Sequence, residues 1–73
     1  KGLEIIISEK NEIFLNERRV SQEELKSIIR IASKFDKSVM IKADRRSELG
    51  KIVQIWDMCR NAGVSEVHIA TTQ

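Results

Sequence analysis

The chain has 73 residues with one cysteine and one histidine, and its 13 basic and 11 acidic side chains give a net charge of +2. A single cysteine excludes an internal disulfide, and so few soft ligands argue against a zinc cluster. The small charge excess argues against a dedicated nucleic-acid domain, and no apolar run reaches the roughly 18 residues that a membrane span needs. The length predicts one domain, residues 1–73, small enough that self-association is a reasonable source of added stability.

The first twenty residues have the pattern of short strands. Residues 3–8 are apolar and β-branched, and after the polar turn at 9–11 the strand pattern resumes at 12–15. This spacing predicts a β-hairpin, and residues 18–20 then predict a brief third strand.

The best local signal of the first half is a helix start at Ser21. Ser21 and Glu24 are spaced as a capping box, in which each side chain bonds the backbone N–H of the other residue. Apolar residues at spacings of three and four predict the buried side of this helix. They are Leu25, Ile28, Ile29, Ala32 and Phe35.

The second half predicts a strand–helix–strand unit. A strand at 38–43 is followed by a helix at 48–61, a glycine stop at Gly63 and a last strand ending at Thr71. Such a crossover makes its two strands parallel neighbours. We expect Asp44 or Ser47 to cap the helix. The predicted buried side consists of Leu49, Ile52, Val53, Trp56 and Cys59, widened by Ile55 and Met58.

The element order ββ(β)αβαβ predicts an α+β fold, a two-layer sandwich. Both helices cover one face of a mixed sheet of four to five strands. The other face is then half polar, and apolar side chains exposed on it indicate a partner or a second copy. This open face is predicted to carry Glu4, Ile6, Phe14, Met40, Lys42, Glu66 and His68.

Candidate chemical groups are few. Asp44 ends a strand, where α/β enzymes often place active-site residues, but a second acid, a nucleophile or a metal ligand would have to lie beside it. Cys59 is expected to be a buried small hydrophobe and His68 a surface histidine. A cluster of cations could hold a phosphate or a carboxylate, which leaves an anion-binding or nucleic-acid-binding module as the alternative function. The cluster consists of Lys42, Arg45, Arg46 and Lys51.

The second half resembles the carboxyl-terminal half of the ExbD/TolR family of biopolymer transport proteins. The shared features are a strand that ends in Ala43-Asp44, a helix that contains Ile52-Val53 and ends at Ala62-Gly63, and a last strand ending at Thr71. The first half is similar more loosely. The departure is at Leu49-Gly50, where the family often has an aromatic residue near the helix start.

The resemblance implies a periplasmic domain with no enzymatic activity and no cofactor. A cytoplasmic tail and one transmembrane helix would precede the domain and anchor it to the inner membrane. The implied partners are a second copy in a homodimer, an ExbB/TolQ-type channel subunit, a TonB/TolA-like protein and peptidoglycan, with no nucleic acid among them. We expect partners to bind at a sheet edge. The candidate binding residues are Val67, Ile69, Thr71, Asp44, Arg45 and Arg46.

Overall fold

A computed structural model describes residues 2–72, with five strands and two helices in the predicted order. The elements are β1 (Leu3–Ile7), β2 (Ile13–Leu15), β3 (Arg18–Val20), α1 (Gln22–Lys34), β4 (Val39–Asp44), α2 (Leu49–Asn61) and β5 (Val67–Thr72).

The strands form one sheet in the order β3-β2-β1-β4-β5. The β1–β2 and β2–β3 pairs are antiparallel, whereas β1–β4 and β4–β5 are parallel. The predicted crossover β4-α2-β5 is therefore confirmed, as is a mixed sheet in an α+β fold. This order places β4 at the interior of the sheet and leaves β5 at one edge.

The core lies between the sheet and the two helices. In β1 and β4 alternate residues are buried, among them Ile5 and Ile41, which have no exposed surface. They meet Leu25 and Ile29 of α1 and Ile55 of α2 in one hydrophobic cluster. Because a single set of alternating side chains joins this cluster, both helices cover the same face of the sheet.

Helix α1 begins as predicted but ends differently. The Glu24 N–H donates to Ser21 Oγ and the Ser21 N–H to Glu24 Oε1, both at 3.0 Å, which confirms the capping box. The prediction that Phe35 is buried is wrong, because its side chain is 69% exposed. Phe35 is the C-cap, and Asp36 follows with a left-handed φ of 54°, so the chain turns before Phe35 can continue the buried side.

The predicted cap of α2 is also wrong. Neither Asp44 nor Ser47 caps this helix; its N-cap is Glu48, which makes no capping bond through its side chain. Instead, the Glu48 N–H donates to Oδ1 of Asn11 at 2.8 Å. Asn11 lies in the β1–β2 turn, so a residue from the other half of the chain takes over part of the capping role.

The buried side of α2 is rotated relative to the prediction. Leu49 and Val53 are 73% and 44% exposed, whereas Ile55 and Cys59 have no exposed surface. Apolar residues occupy so much of this helix that their spacing alone does not identify the centre of the buried side. Packing against α1 decides it, since Met58 lines the cleft between the two helices.

Helix α2 ends just before Gly63, as the sequence predicts. Gly63 has a φ of 92°, its N–H donates to the Arg60 carbonyl, and the Val64 N–H donates to the Cys59 carbonyl. These two bonds form a Schellman motif, with Gly63 at the left-handed position that favours glycine.

Candidate binding edge

The sheet has two edges, and they differ in length and charge. The β3 edge is three residues long and exposes Arg18 and Arg19, and short, charged edges resist pairing with other chains. The β5 edge is six residues long, and residues 67–72 contain one charge-capable side chain, His68. Strand β5 is therefore the edge better suited to accept another strand.

The backbone of β5 presents alternate residues to the open side. The Val39 N–H donates to the Glu66 carbonyl and the Arg45 N–H to the Thr72 carbonyl, each at 2.9 Å. Even-numbered residues of this segment therefore bond β4, because both polar groups of a residue in a parallel ladder point to the same neighbour. The odd-numbered residues point their N–H and C=O groups away from the sheet. These are the predicted residues Val67, Ile69 and Thr71.

The side chains of the same residues lie on the helix-covered face, where coverage is incomplete. In register they oppose Val39, Ile41 and Ala43, which are fully buried. Ile69 is nevertheless 47% exposed and Thr71 is exposed, while Val67 is partly buried. Helix α2 thus covers β4 but leaves the apolar side of β5 partly open to solvent.

Exposed apolar residues also lie along one side of α2. Leu49 and Val53 are four residues apart, and Trp56 follows three residues later, so the three side chains share one side of the helix. Trp56 lines a shallow cleft of about 390 Å³ with Val67, which places Trp56 beside the start of β5. We infer that the side of α2 that carries Leu49 and Val53 borders the same strand. We call Leu49, Val53, Val67, Ile69 and Thr71 the β5 edge surface.

The Trp56 indole is held by a cation. The guanidinium carbon of Arg60 lies 4.9 Å from the centroid of the Trp56 ring, a distance at which a cation–π interaction is favourable. Trp56 also packs partly against the core, in keeping with its predicted role there. Arg60 thereby stabilises the Trp56 ring at the amino-terminal end of β5, next to the β5 edge surface.

The turn after β4 lies at the opposite end of β5. The Arg45 N–H bonds the Thr72 carbonyl, which ties this turn to the last residue of the edge strand. Asp44 Oδ1 accepts from the Arg46 backbone N–H at 2.8 Å and from Arg46 Nε at 3.2 Å. The structure thus places the predicted residues Asp44, Arg45 and Arg46 in one turn that abuts the predicted strand residues.

The charge state of Asp44 is set by this turn. The side-chain hydrogen bond from Arg46, together with the Arg46 backbone bond, lowers the pKa of the Asp44 carboxyl below its usual value. Arg46 also forms an ion pair with Glu9 at 2.8 Å. A carboxylate stabilised in its charged form suits a structural turn better than a general acid. Within residues 2–72, no group of three or more His, Cys, Asp or Glu side chains could hold a metal ion.

The predicted cationic cluster is dispersed in the fold. Lys42 Nζ pairs with Glu4 at 2.7 Å, and Lys51 Nζ donates to Gln22 Oε1 at 3.0 Å. With Arg46 engaged by two carboxylates, only Arg45 of the four cations lacks a side-chain partner among the described residues. The geometry therefore gives no support to a shared anion site.

The remaining candidate groups are placed as expected. Cys59 is buried, and desolvation raises the pKa of its thiol to about 11, so it stays protonated and unreactive at neutral pH. His68 is an exposed residue of the open face, with Nε2 3.4 Å from Glu66 Oε2. Ile6 on the same face is 39% exposed, as predicted, but Phe14 and Met40, predicted to be exposed beside it, are half-buried.

Two features of the site and its surroundings are not predicted by the sequence pattern. The apolar spacing predicts Leu49 and Val53 in the core instead of on the β5 edge surface, and no pattern predicts Asn11 as a capping residue. A signal for the first was present, since α2 has more apolar residues than one sheet face requires. No local pattern could have indicated Asn11, because its partner is 37 residues away in the sequence.

Comparison with known families decides the assignment. The family described as biopolymer transport protein ExbD/TolR matches residues 1–73. The chain belongs to the ExbD/TolR family. Comparison with curated proteins finds no match.

Membership of this family indicates the general function. The ExbD/TolR family is transport-related and non-enzymatic, and its members are membrane-associated with a periplasmic domain. Its members work with membrane-complex partners of the ExbB/TolQ and TonB/TolA kind. No helix within residues 2–72 is both long and apolar enough to cross a bilayer.

Proposed function

We propose that this chain is the periplasmic domain of an ExbD/TolR-type subunit in a motor driven by the proton-motive force. The domain dimerises and engages a TonB/TolA-like partner or peptidoglycan, and so energises transport across the outer membrane or maintains its integrity. A transmembrane helix before residue 1 anchors it to the inner membrane and contacts an ExbB/TolQ-type channel subunit. Family membership supports the motor role, and the open β5 edge supports the mode of binding.

The observation that carries the binding mode is the direction of the β5 backbone. An extended segment laid along the edge would bond the outward N–H and C=O groups of Val67, Ile69 and Thr71, which supply affinity without dictating sequence. Alternate side chains of that segment would contact Ile69 and the exposed Leu49 and Val53. The expected partner is therefore an extended peptide with apolar residues at every second position.

The experiment is an amide-spectrum titration of the ¹⁵N-labelled domain. A TonB/TolA-like periplasmic segment and purified peptidoglycan are added separately. Binding as proposed perturbs residues 67–72 and the Leu49–Val53 side of α2, and leaves β3 unchanged. If neither ligand shifts any amide at millimolar concentration, or if the shifts map to β3, the proposed binding edge is wrong.

A proline substitution isolates the backbone contribution. Ile69→Pro removes an N–H that points away from the sheet, so β5 keeps its bonds to β4, while an added strand loses a donor and meets a steric block. We expect this variant to lose peptide binding yet remain folded. Ile69→Thr is the matched control, since it shortens the side chain but preserves the amide and the β-branch. Sedimentation of the same variants tests whether the dimer uses the same edge.

A further inference from the structure

A second apolar patch, which shares no residue with the β5 edge surface, lies at the carboxyl-terminal end of α1. Ile31 and Phe35 are 57% and 69% exposed, and their spacing of four residues places them on one side of the helix. This side differs from that of Lys26 and Arg30, which line the cleft against α2. No fold requirement explains two large apolar side chains so exposed at one helix end.

Cations flank this apolar pair. Lys34 is in the last turn of α1 and Lys37 follows directly after the turn, and both are exposed. Neither has a carboxylate oxygen within 4.0 Å among the described residues. Asp36, the acidic residue between them, is turned by its left-handed backbone and accepts from Ser65 Oγ at 3.3 Å. The patch therefore combines exposed apolar groups with free positive charge.

The amino-terminal strand begins beside this patch. The Leu3 N–H donates to the Ser38 carbonyl at 2.8 Å, and the Lys37 N–H donates to the Ala32 carbonyl at 3.2 Å. The start of β1 and the end of α1 are thus held together by backbone bonds. Any chain that enters β1 from a membrane would approach the domain at this end.

We propose that Ile31, Phe35, Lys34 and Lys37 form a docking surface for an anionic phospholipid bilayer. Phe35 and Ile31 would enter the headgroup region, while the two ammonium groups contact lipid phosphates, the arrangement of an interfacial helix. The inference rests on the membrane anchorage in the proposed function. Docking would hold the domain against the bilayer and withhold it from distant partners until it is released.

The test is co-sedimentation of the chain with vesicles, together with spin-labelled lipid in the ¹⁵N spectrum. Phosphatidylglycerol–phosphatidylethanolamine vesicles are compared with pure phosphatidylcholine at low salt. We expect binding to the anionic vesicles alone, with signal broadening at residues 31–37. The combined Lys34→Gln and Lys37→Gln variant should bind roughly 30-fold more weakly, given roughly fivefold per charge near such a surface.

Phe35→Ser should weaken vesicle binding by roughly tenfold, since a mostly exposed aromatic side chain has most of its apolar surface still to bury. Leu49→Ser is the matched control: it removes an equally exposed apolar group from the β5 edge surface and should leave vesicle binding unchanged. The proposal is overturned if anionic vesicles bind no better than neutral ones or if both variants lose binding equally. It is also overturned if the chain does not bind vesicles and Phe35→Ser abolishes self-association, because the patch would then contact a second copy of the chain. None of these outcomes tests peptide binding at β5 of the unaltered chain, so the two proposals fail separately.

Discussion

Truncation of Ile55 tests the packing of α2, on which the proposed binding edge depends. The Ile55 side chain has no exposed surface and lies in the main hydrophobic cluster. Replacing a buried isoleucine with alanine costs about 2–5 kcal/mol of unfolding free energy, through lost burial and the cavity left behind. A domain of this size has a total stability of roughly 4–11 kcal/mol, so Ile55→Ala should remove a large share of it.

Val53→Ala is the matched control on the same helix. Val53 is 44% exposed, so less burial is lost, and alanine gains about 0.5 kcal/mol in helix propensity over valine. We expect a net change below about 0.5 kcal/mol. Urea unfolding followed by circular dichroism gives both free energies, and a loss of 3 kcal/mol at Ile55 should lower Tm by roughly 12–24 °C.

The refuting result is a Val53→Ala variant as destabilised as Ile55→Ala. Val53 would then lie in the core, as its position in the apolar pattern first suggested, and the β5 edge surface would lose one of its two helix residues. A neutral Val53→Ala combined with a costly Ile55→Ala confirms that the apolar side of α2 next to β5 is free to contact a partner.

Three further predictions concern a helix cap, a helix end and a turn. Ser21→Ala should cost about 1 kcal/mol of unfolding free energy by removing the N-cap acceptor, and Ser21→Asp should restore most of it in the same urea assay. Gly63→Ala should cost about 1–2 kcal/mol in thermal unfolding, because a φ of 92° strains any residue with a Cβ even though the space around it is open. The folded-state pKa of Asp44 is lowered by its Arg46 hydrogen bond, so its stabilising contribution is complete only well above the unfolded-state pKa and is lost as the pH falls through the folded-state pKa. Urea midpoints measured from pH 6 to pH 2 should therefore fall less steeply for Asp44→Asn than for the unaltered chain, and parallel curves would contradict the role assigned to this turn.

In our two proposals, the two surfaces have different tasks. The β5 edge surface would offer backbone groups and half-exposed apolar side chains to an extended partner, whereas the end of α1 would offer apolar and cationic groups to a lipid surface. The start of β1 is bonded next to the end of α1, and β5 begins at the same end of the sheet because β1, β4 and β5 are parallel. An amino-terminal membrane anchor would therefore lie at the end where β5 begins.

The apolar pattern of α2 does not specify which side of the helix is buried. Its seven apolar or weakly polar positions between Leu49 and Cys59 cover more of the circumference than one sheet face can bury. The spacing predicts a buried side that includes Leu49 and Val53, while contact with α1 centres it on Ile55. Likewise, Asp44 has the spacing of a helix cap, but Arg46 is closer and carries the complementary charge.

The sequence by itself determined the features that depend on neighbouring residues. Ser21 and Glu24 cap α1, Gly63 ends α2, and alternation in β1 and β4 defines the buried sheet face, because each of these rests on bonds or spacings within a few residues. The family match likewise depends on the sequence alone. Only the tertiary structure decided which side of α2 is buried, which residue caps it and which strand lies at the edge. Those outcomes depend on contacts between distant parts of the chain, such as Asn11 with Glu48, and local sequence patterns do not specify them.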